Sequence, residues 1–233
     1  MQIVKRKINF IFVCLLLPLL LVGFSPSKAK CNPPKVLKCQ KVNLSNKNLS
    51  NANLSNGNFA KANLNRTKFR NSNLTDASLV GANLTRADLR GANLTNATFK
   101  GSNLNRATFG GANLTGANLA GTNLKGVQLE FGILTRTNLS GANLTVADLN
   151  RSNLEGADLS YANLTYARLT GANLSGANLE HADLSYANLT GANLTGAVVR
   201  KGIPSSAIGA NLSGVILTGV PPPPTETLTE IPD

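Results

Sequence analysis

From Leu44 to Val199 an apolar side chain recurs at every fifth residue without a skip: Leu44, Leu49, Leu54, Phe59, Leu64, Phe69 and onward. Of these 32 positions 27 are Leu, four are Phe (Phe59, Phe69, Phe99, Phe109) and the last is Val199. Ala stands two residues earlier in 21 repeats; Asn stands one residue earlier in 20 and Asp in four. Neither regular element buries such a period. On an α-helix, residues five apart lie about 140° apart, so the leucines would spiral over every face. On a strand they would alternate between faces. All 32 point inward only if the chain bends in the same sense every five residues. That path is a solenoid, each short segment hydrogen-bonding to the coils above and below at about 4.8 Å.

The number of sides follows from which residues recur one coil apart. Arg66, Arg86 and Arg106 repeat at 20 residues, as do Arg70 and Arg90, and Tyr166 and Tyr186. A three-sided coil would instead set Gly81, Gly101 and Gly121 over those arginines. Four sides are favoured. The Phe residues then form two pairs 40 residues apart, Phe59 with Phe99 and Phe69 with Phe109, on opposite walls.

Gly-Ala-Asn-Leu-Thr at 81–85, Arg-Ala-Asp-Leu-Arg at 86–90 and Gly-Ala-Asn-Leu-Ser at 171–175 resemble the pentapeptide-repeat family, A-(N/D)-L-x-x. The resemblance covers residues 42–201. It implies an all-β fold: a right-handed quadrilateral parallel β-helix of about eight coils, a rod of roughly 40 Å. Departures from the motif are few: Lys47, Val127-Gln128, Gly132-Ile133 and Val198-Val199. Leu or Phe fills the interior, with Ala making room beside it. The column Asn43, Asn63, Asn83, Asn103, Asn123, Asn143, Asn163 is expected to stack as an amide ladder that satisfies bent backbone. Corner glycines supply positive φ.

Five segments organise the chain. Residues 1–29 read as an export signal: Lys5-Arg6-Lys7, an apolar run from Phe10 to Phe24, and Ser27 and Ala29 before the cut. The run is short for a span of about 20 residues, and the alternative is an uncleaved anchor. Residues 30–41 form an N-terminal cap, where Cys31 and Cys39 are expected to pair as a disulfide in an oxidising compartment. A cap suits the open edge of a β-helix. Residues 42–201 are the repeat. Residues 202–220 break the register and carry two last repeats at Leu212 and Leu217, shifted by three residues. Pro221–Pro224 stop the solenoid, and 221–233 is a Pro-rich, acidic, disordered tail.

Charge is what distinguishes one half from the other. The chain carries 23 Lys and Arg against 11 Asp and Glu, net +12. Without residues 1–29 the balance is 19 to 11, or +8. Residues 30–125 hold 14 basic and 2 acidic groups, residues 126–233 hold 5 and 9. On four sides Arg66, Lys68, Arg70, Arg86, Arg90 and Arg106 share one wall and its corner, with Asp88 the only acid among them. Such a surface suits an anionic partner: an acidic protein, an anionic lipid surface or a polyanionic envelope polymer. Membrane association would arise only through that wall or an uncleaved N-terminal segment. Nucleic acid is disfavoured by export and by the lack of stacking aromatics on the wall.

Catalytic chemistry finds little support. His181 is the only histidine, at a corner with Tyr161 one coil below, which reads as packing. Glu155, Asp158, Glu180 and Asp183 scatter over two or three walls and make no hydrolytic pair. No G-x-S-x-G, P-loop or dinucleotide-binding glycine pattern occurs, and no His/Cys cluster suits a metal. The reading is therefore no catalytic residues, no metal and no cofactor. Seventeen N-x-[ST] sequons occur, nearly all inside the repeat, where glycans would obstruct coil packing, so the compartment expected is a bacterial periplasm or thylakoid lumen. The function expected is an exported, non-catalytic interaction scaffold. The resemblance also implies an alternative, since some family members mimic DNA and bind topoisomerases; the basic charge and export signal disfavour it. A third possibility, an exported enzyme, would hinge on His181.

Overall fold

A computed structural model describes residues 38–199 and the strand Ile216–Leu217. The export segment, Cys31, most of the register break and the tail lie outside the described residues. The repeat winds into a right-handed quadrilateral β-helix. Parallel bridges join residues 20 apart, from Lys38↔Asn58 to Asn173↔Asn193, so each coil closes in four pentapeptides. Among the described residues, short strands appear at the last coils: β1 (Asn178–Leu179), β2 (Val198–Val199) and β3 (Ile216–Leu217), in a parallel sheet. Val199 aligns with Leu217, an offset of 18 residues where the repeat has 20.

Four walls follow, centred on Leu64, Leu84 and Leu104 (wall A), Phe69, Leu89 and Phe109 (wall B), Leu74, Leu94 and Leu114 (wall C), and Leu79, Phe99 and Leu119 (wall D). All of these side chains are buried. The phenyl rings meet edge-on across the interior, Phe59 with Phe69 at 6.5 Å and Phe99 with Phe109 at 6.3 Å. That edge-to-face contact is what the two opposite-wall pairs accomplish. Gly57 replaces the usual Ala for a steric reason: a Cβ there would sit 2.6 Å from the Phe59 ring.

Backbone bonding runs between coils. Leu84 N–H donates to the Asn103 carbonyl at 2.7 Å, and Asn103 N–H donates to Ala82 at 3.0 Å. Each corner is a four-residue turn: Ala82 N–H, for example, donates to Leu79 at 3.0 Å. The third residue of every such turn, residues 41, 46, 51 and so on to 196, has positive φ. Glycine fills 13 of these corners, and side chains as bulky as Arg, Tyr, Phe and Val fill others.

The Asn column departs from the expected ladder. Asn43 through Asn163 do stack one above another. Their Oδ1 atoms, however, accept the N–H two residues on in their own coil, as Asn83 does from Thr85 at 3.1 Å and Asn143 from Thr145 at 3.1 Å. A Thr hydroxyl at the same place adds a bond of 2.6–2.7 Å. The local Asx turn takes the acceptor first, because it needs no neighbouring coil. True amide-to-amide bonds between coils occur on wall C: Asn73 to Asn53, Asn173 to Asn153 and Asn193 to Asn173.

Candidate functional site

The corner between walls A and B reads, coil by coil, Asn46, Arg66, Arg86, Arg106, Gly126, Val146, Tyr166, Tyr186. The three arginines sit at φ of 54°, 57° and 55°. Their N–H groups hold them there by donating to Thr85, Asn105 and Lys125 of the next coil at 3.0–3.1 Å. Successive guanidinium stems therefore rise by one strand spacing, about 4.8 Å. Beside them Asn65, Thr85, Asn105 and Lys125 complete a shallow groove of about 520 Å³. Asn65 Nδ2 donates to the Thr85 carbonyl and fixes the groove floor. Among the described residues, Arg66, Arg86 and Arg106 make no ion pair.

The wall itself is different. Asp88 takes both Arg70 and Arg90, the latter at 2.8 Å through Nη2, while Arg90 Nε reaches the other carboxylate oxygen at 2.9 Å. The Arg90 hydrogen bond, with Arg70 adding to it, holds the Asp88 carboxyl far below the ordinary carboxylate range. Two of the six basic residues are thus spent within the wall, and Lys68 stands exposed one coil below Asp88. The six do lie together, but they divide into a paired set on wall B and an unpaired ladder on the corner. Lys125, absent from the sequence reading, belongs with the ladder. Its signal was its place in the column Asn65, Thr85, Asn105.

Farther along the rod the corners become aromatic. Tyr166 and Tyr186 stack at 4.8 Å and 8°, and Tyr161 and His181 at 4.5 Å and 7° on the other edge of wall A. The three Tyr rings are exposed, Tyr186 at 73%. His181 is half-buried, its Nε2 3.9 Å from Glu180. The two remaining corners of these two coils are glycine: Gly171 and Gly191, Gly176 and Gly196. In these coils, among the described residues, rings stand only on the edges of wall A.

A second groove, of about 540 Å³, runs along wall B past exposed Phe131. In it Arg168 meets Asp148 at 3.3 Å, Arg151 lies 5.8 Å over the Phe131 ring, and Glu130 Oε2 is buried without a hydrogen-bond partner. Among the described residues no group of His, Cys, Asp and Glu could hold a metal, and no helix is long and apolar enough to cross a membrane. Cys39 is buried and disulfide-bonded, with Cys31 outside the described residues.

A family model described as pentapeptide repeats matches the chain in eight copies within residues 38–200. Among solved structures, HetL, a pentapeptide repeat protein involved in heterocyst differentiation regulation in the cyanobacterium Nostoc, is 29% identical. That match covers 79% of this chain and 87% of HetL, with a TM-score of 0.43. Another Nostoc pentapeptide repeat protein is 33% identical over 43% of this chain and 84% of its own (TM-score 0.38). A pentapeptide repeat protein of the Arabidopsis thaliana thylakoid lumen is 36% identical over 43% of this chain and 68% of its own (TM-score 0.32). No curated protein matches.

Proposed function

Because this chain belongs to the pentapeptide-repeat family, we propose that it acts as an exported, non-catalytic scaffold whose basic corner binds an anionic partner. The observation that carries the reading is the Arg66, Arg86, Arg106 ladder, exposed beside Lys125 and without an ion pair among the described residues. Like charges stacked one strand apart disfavour the bare fold slightly. An acidic protein or envelope polymer crossing them at one anion per coil relieves that repulsion. The site is open and polar, suited to a surface or a strand rather than a small molecule. Lys68, with the Asp88-bound pair Arg70 and Arg90, forms the flank of this site.

Export is read from the basic, apolar and small-residue order of residues 1–29, which supports a bacterial periplasm or thylakoid lumen as the compartment. In either oxidising space Cys39 pairs with Cys31 across Asn32–Lys38 and caps the first coil.

Co-purification from the native envelope fraction tests the reading. Wild type runs beside Arg66→Glu/Arg86→Glu/Arg106→Glu, whose folding is checked by circular dichroism. A partner held by wild type, released by salt and missing from the folded variant is the expected result. Equal recovery from both, or recovery from neither, overturns it.

A further inference from the structure

We propose that wall A pairs with wall A of a second copy of this chain, antiparallel, so that the basic end of each rod covers the aromatic end of the other. Its basis is the order of residues along the corner between walls A and B. Reflected about Gly126 by a two-fold axis lying in the interface, Arg66 meets Tyr186, Arg86 meets Tyr166 and Arg106 meets Val146. Each guanidinium stem arrives beside an exposed ring or apolar side chain. Arg stacks its planar cation over an aromatic face, and each tyrosine keeps the face turned away from the Tyr166–Tyr186 stack open to it. Gly126 at the axis lets the two edges close.

The opposite edge of wall A carries one such contact. The same axis brings Lys61 against His181 and Gly81 against Tyr161, each displaced by half a coil, about 2.4 Å. Between the edges the two Asn columns face each other with further donors and acceptors. Net charge agrees: residues 30–125 carry +12 and residues 126–233 carry −4, so antiparallel copies attract where parallel ones would set basic half on basic half. Lys125 is the one like-charged contact near the axis, and it lies on the rim with its side chain exposed. The interface is isologous and closes at two, so it builds a dimer and not a fibre. One narrow wall falls in the small-interface class, under about 1,200 Å² in total, and the dimer is reversible. It covers Arg66 and Arg86, so the second copy and the anionic partner exclude one another.

Single cysteines in the exported chain, residues 30–233, test the geometry. A Cys is accommodated at either glycine corner below: a Cβ at Gly126 comes no nearer than 3.7 Å to Arg106, and one at Gly176 meets nothing within 4 Å. Under mild oxidation Gly126→Cys is expected to cross-link to itself at least tenfold faster than Gly176→Cys on the far corner. Equal rates overturn the proposal. Sedimentation equilibrium from 5 to 500 µM gives the second measurement. Wild type associates, weakens with salt, and loses at least tenfold in affinity as Tyr166→Ala/Tyr186→Ala. A wild type that stays monomeric throughout, or a Tyr variant that dimerises as well as wild type, overturns it. The Tyr variant keeps the arginine ladder, so its retention of the envelope partner separates failure of the dimer from failure of the anion site.

Discussion

The two halves of the rod share one interior and differ at their corners. Around Arg86 the core is Leu84, Leu89 and Ala87; around Tyr166 it is Leu164, Leu169 and Ala167, all buried to the same degree. Backbone bonds match as well, with Arg86 N–H to Asn105 and Tyr166 N–H to Ser185 both at 3.0 Å. What stands on this shared frame is cationic in one half and aromatic in the other. Both occupy left-handed corners where glycine would be easier. The fold is thus indifferent to which surface it carries, and the cost of bulky corners is met where a surface is displayed.

The strongest way to break the comparison is to cut the core in each half. Leu84→Ala and Leu164→Ala each remove a fully buried side chain from wall A. Each is expected to cost about 2–5 kcal/mol, and the two costs should agree within about 1 kcal/mol. Urea denaturation followed by circular dichroism measures both, and a clear inequality would show that the halves do not share one interior. Next comes an exchange of corners. Val146 is a β-branched residue at φ 58°, 55% exposed, while Gly126 one coil earlier sits at φ 64°. Val146→Gly should stabilise by about 1 kcal/mol and Gly126→Val destabilise by a similar amount. Thermal melts of the two variants should move in opposite directions.

The smallest effect sharpens the difference between the paired wall and the unpaired corner. The Asp88 carboxyl is depressed, chiefly by its Arg90 hydrogen bond. Its contribution to stability is therefore complete above the unfolded value of about 3.9 and is lost as pH falls through the lower folded value. Both arginine side chains are about half exposed, at 50% and 51%, so the contribution is at most about 1 kcal/mol. Asp88→Asn should melt slightly below wild type at pH 7, and the gap should narrow steadily as pH falls from about 4 toward 2. The same variant frees Arg70 and Arg90 and should strengthen retention of the anionic partner. A gap that widens with acid would contradict the pairing.

Much of this was legible in the residues. The five-residue period forces a solenoid, the recurrence of Arg66, Arg86 and Arg106 at 20 favours four sides, and Tyr161 and His181 fall at one corner a coil apart. Two features were not. The Asn side chains had equal reach to their own coil and to the next, and only geometry shows that the near N–H wins on wall A while wall C keeps some ladder bonds. Asp88 was visible among the basic residues, but its capture of two arginines depends on which side chains bend inward along the wall. The continuity from Arg66 to Tyr186 was readable by the same 20-residue step.

Since the bonds between coils lie along the rod, axial tension loads them in series, and the weakest interface alone sets the force of yielding. A coil occupying about 4.8 Å of rod contains 20 residues, which extended span about 66–72 Å. Pulled from its ends, the rod lengthens in steps of nearly that size, one turn at a time. Pressed from the side, it shares the load among all its turns at once. A molecule built this way is stiff as a spacer and yielding as a tether, and which it is depends on the direction of the pull.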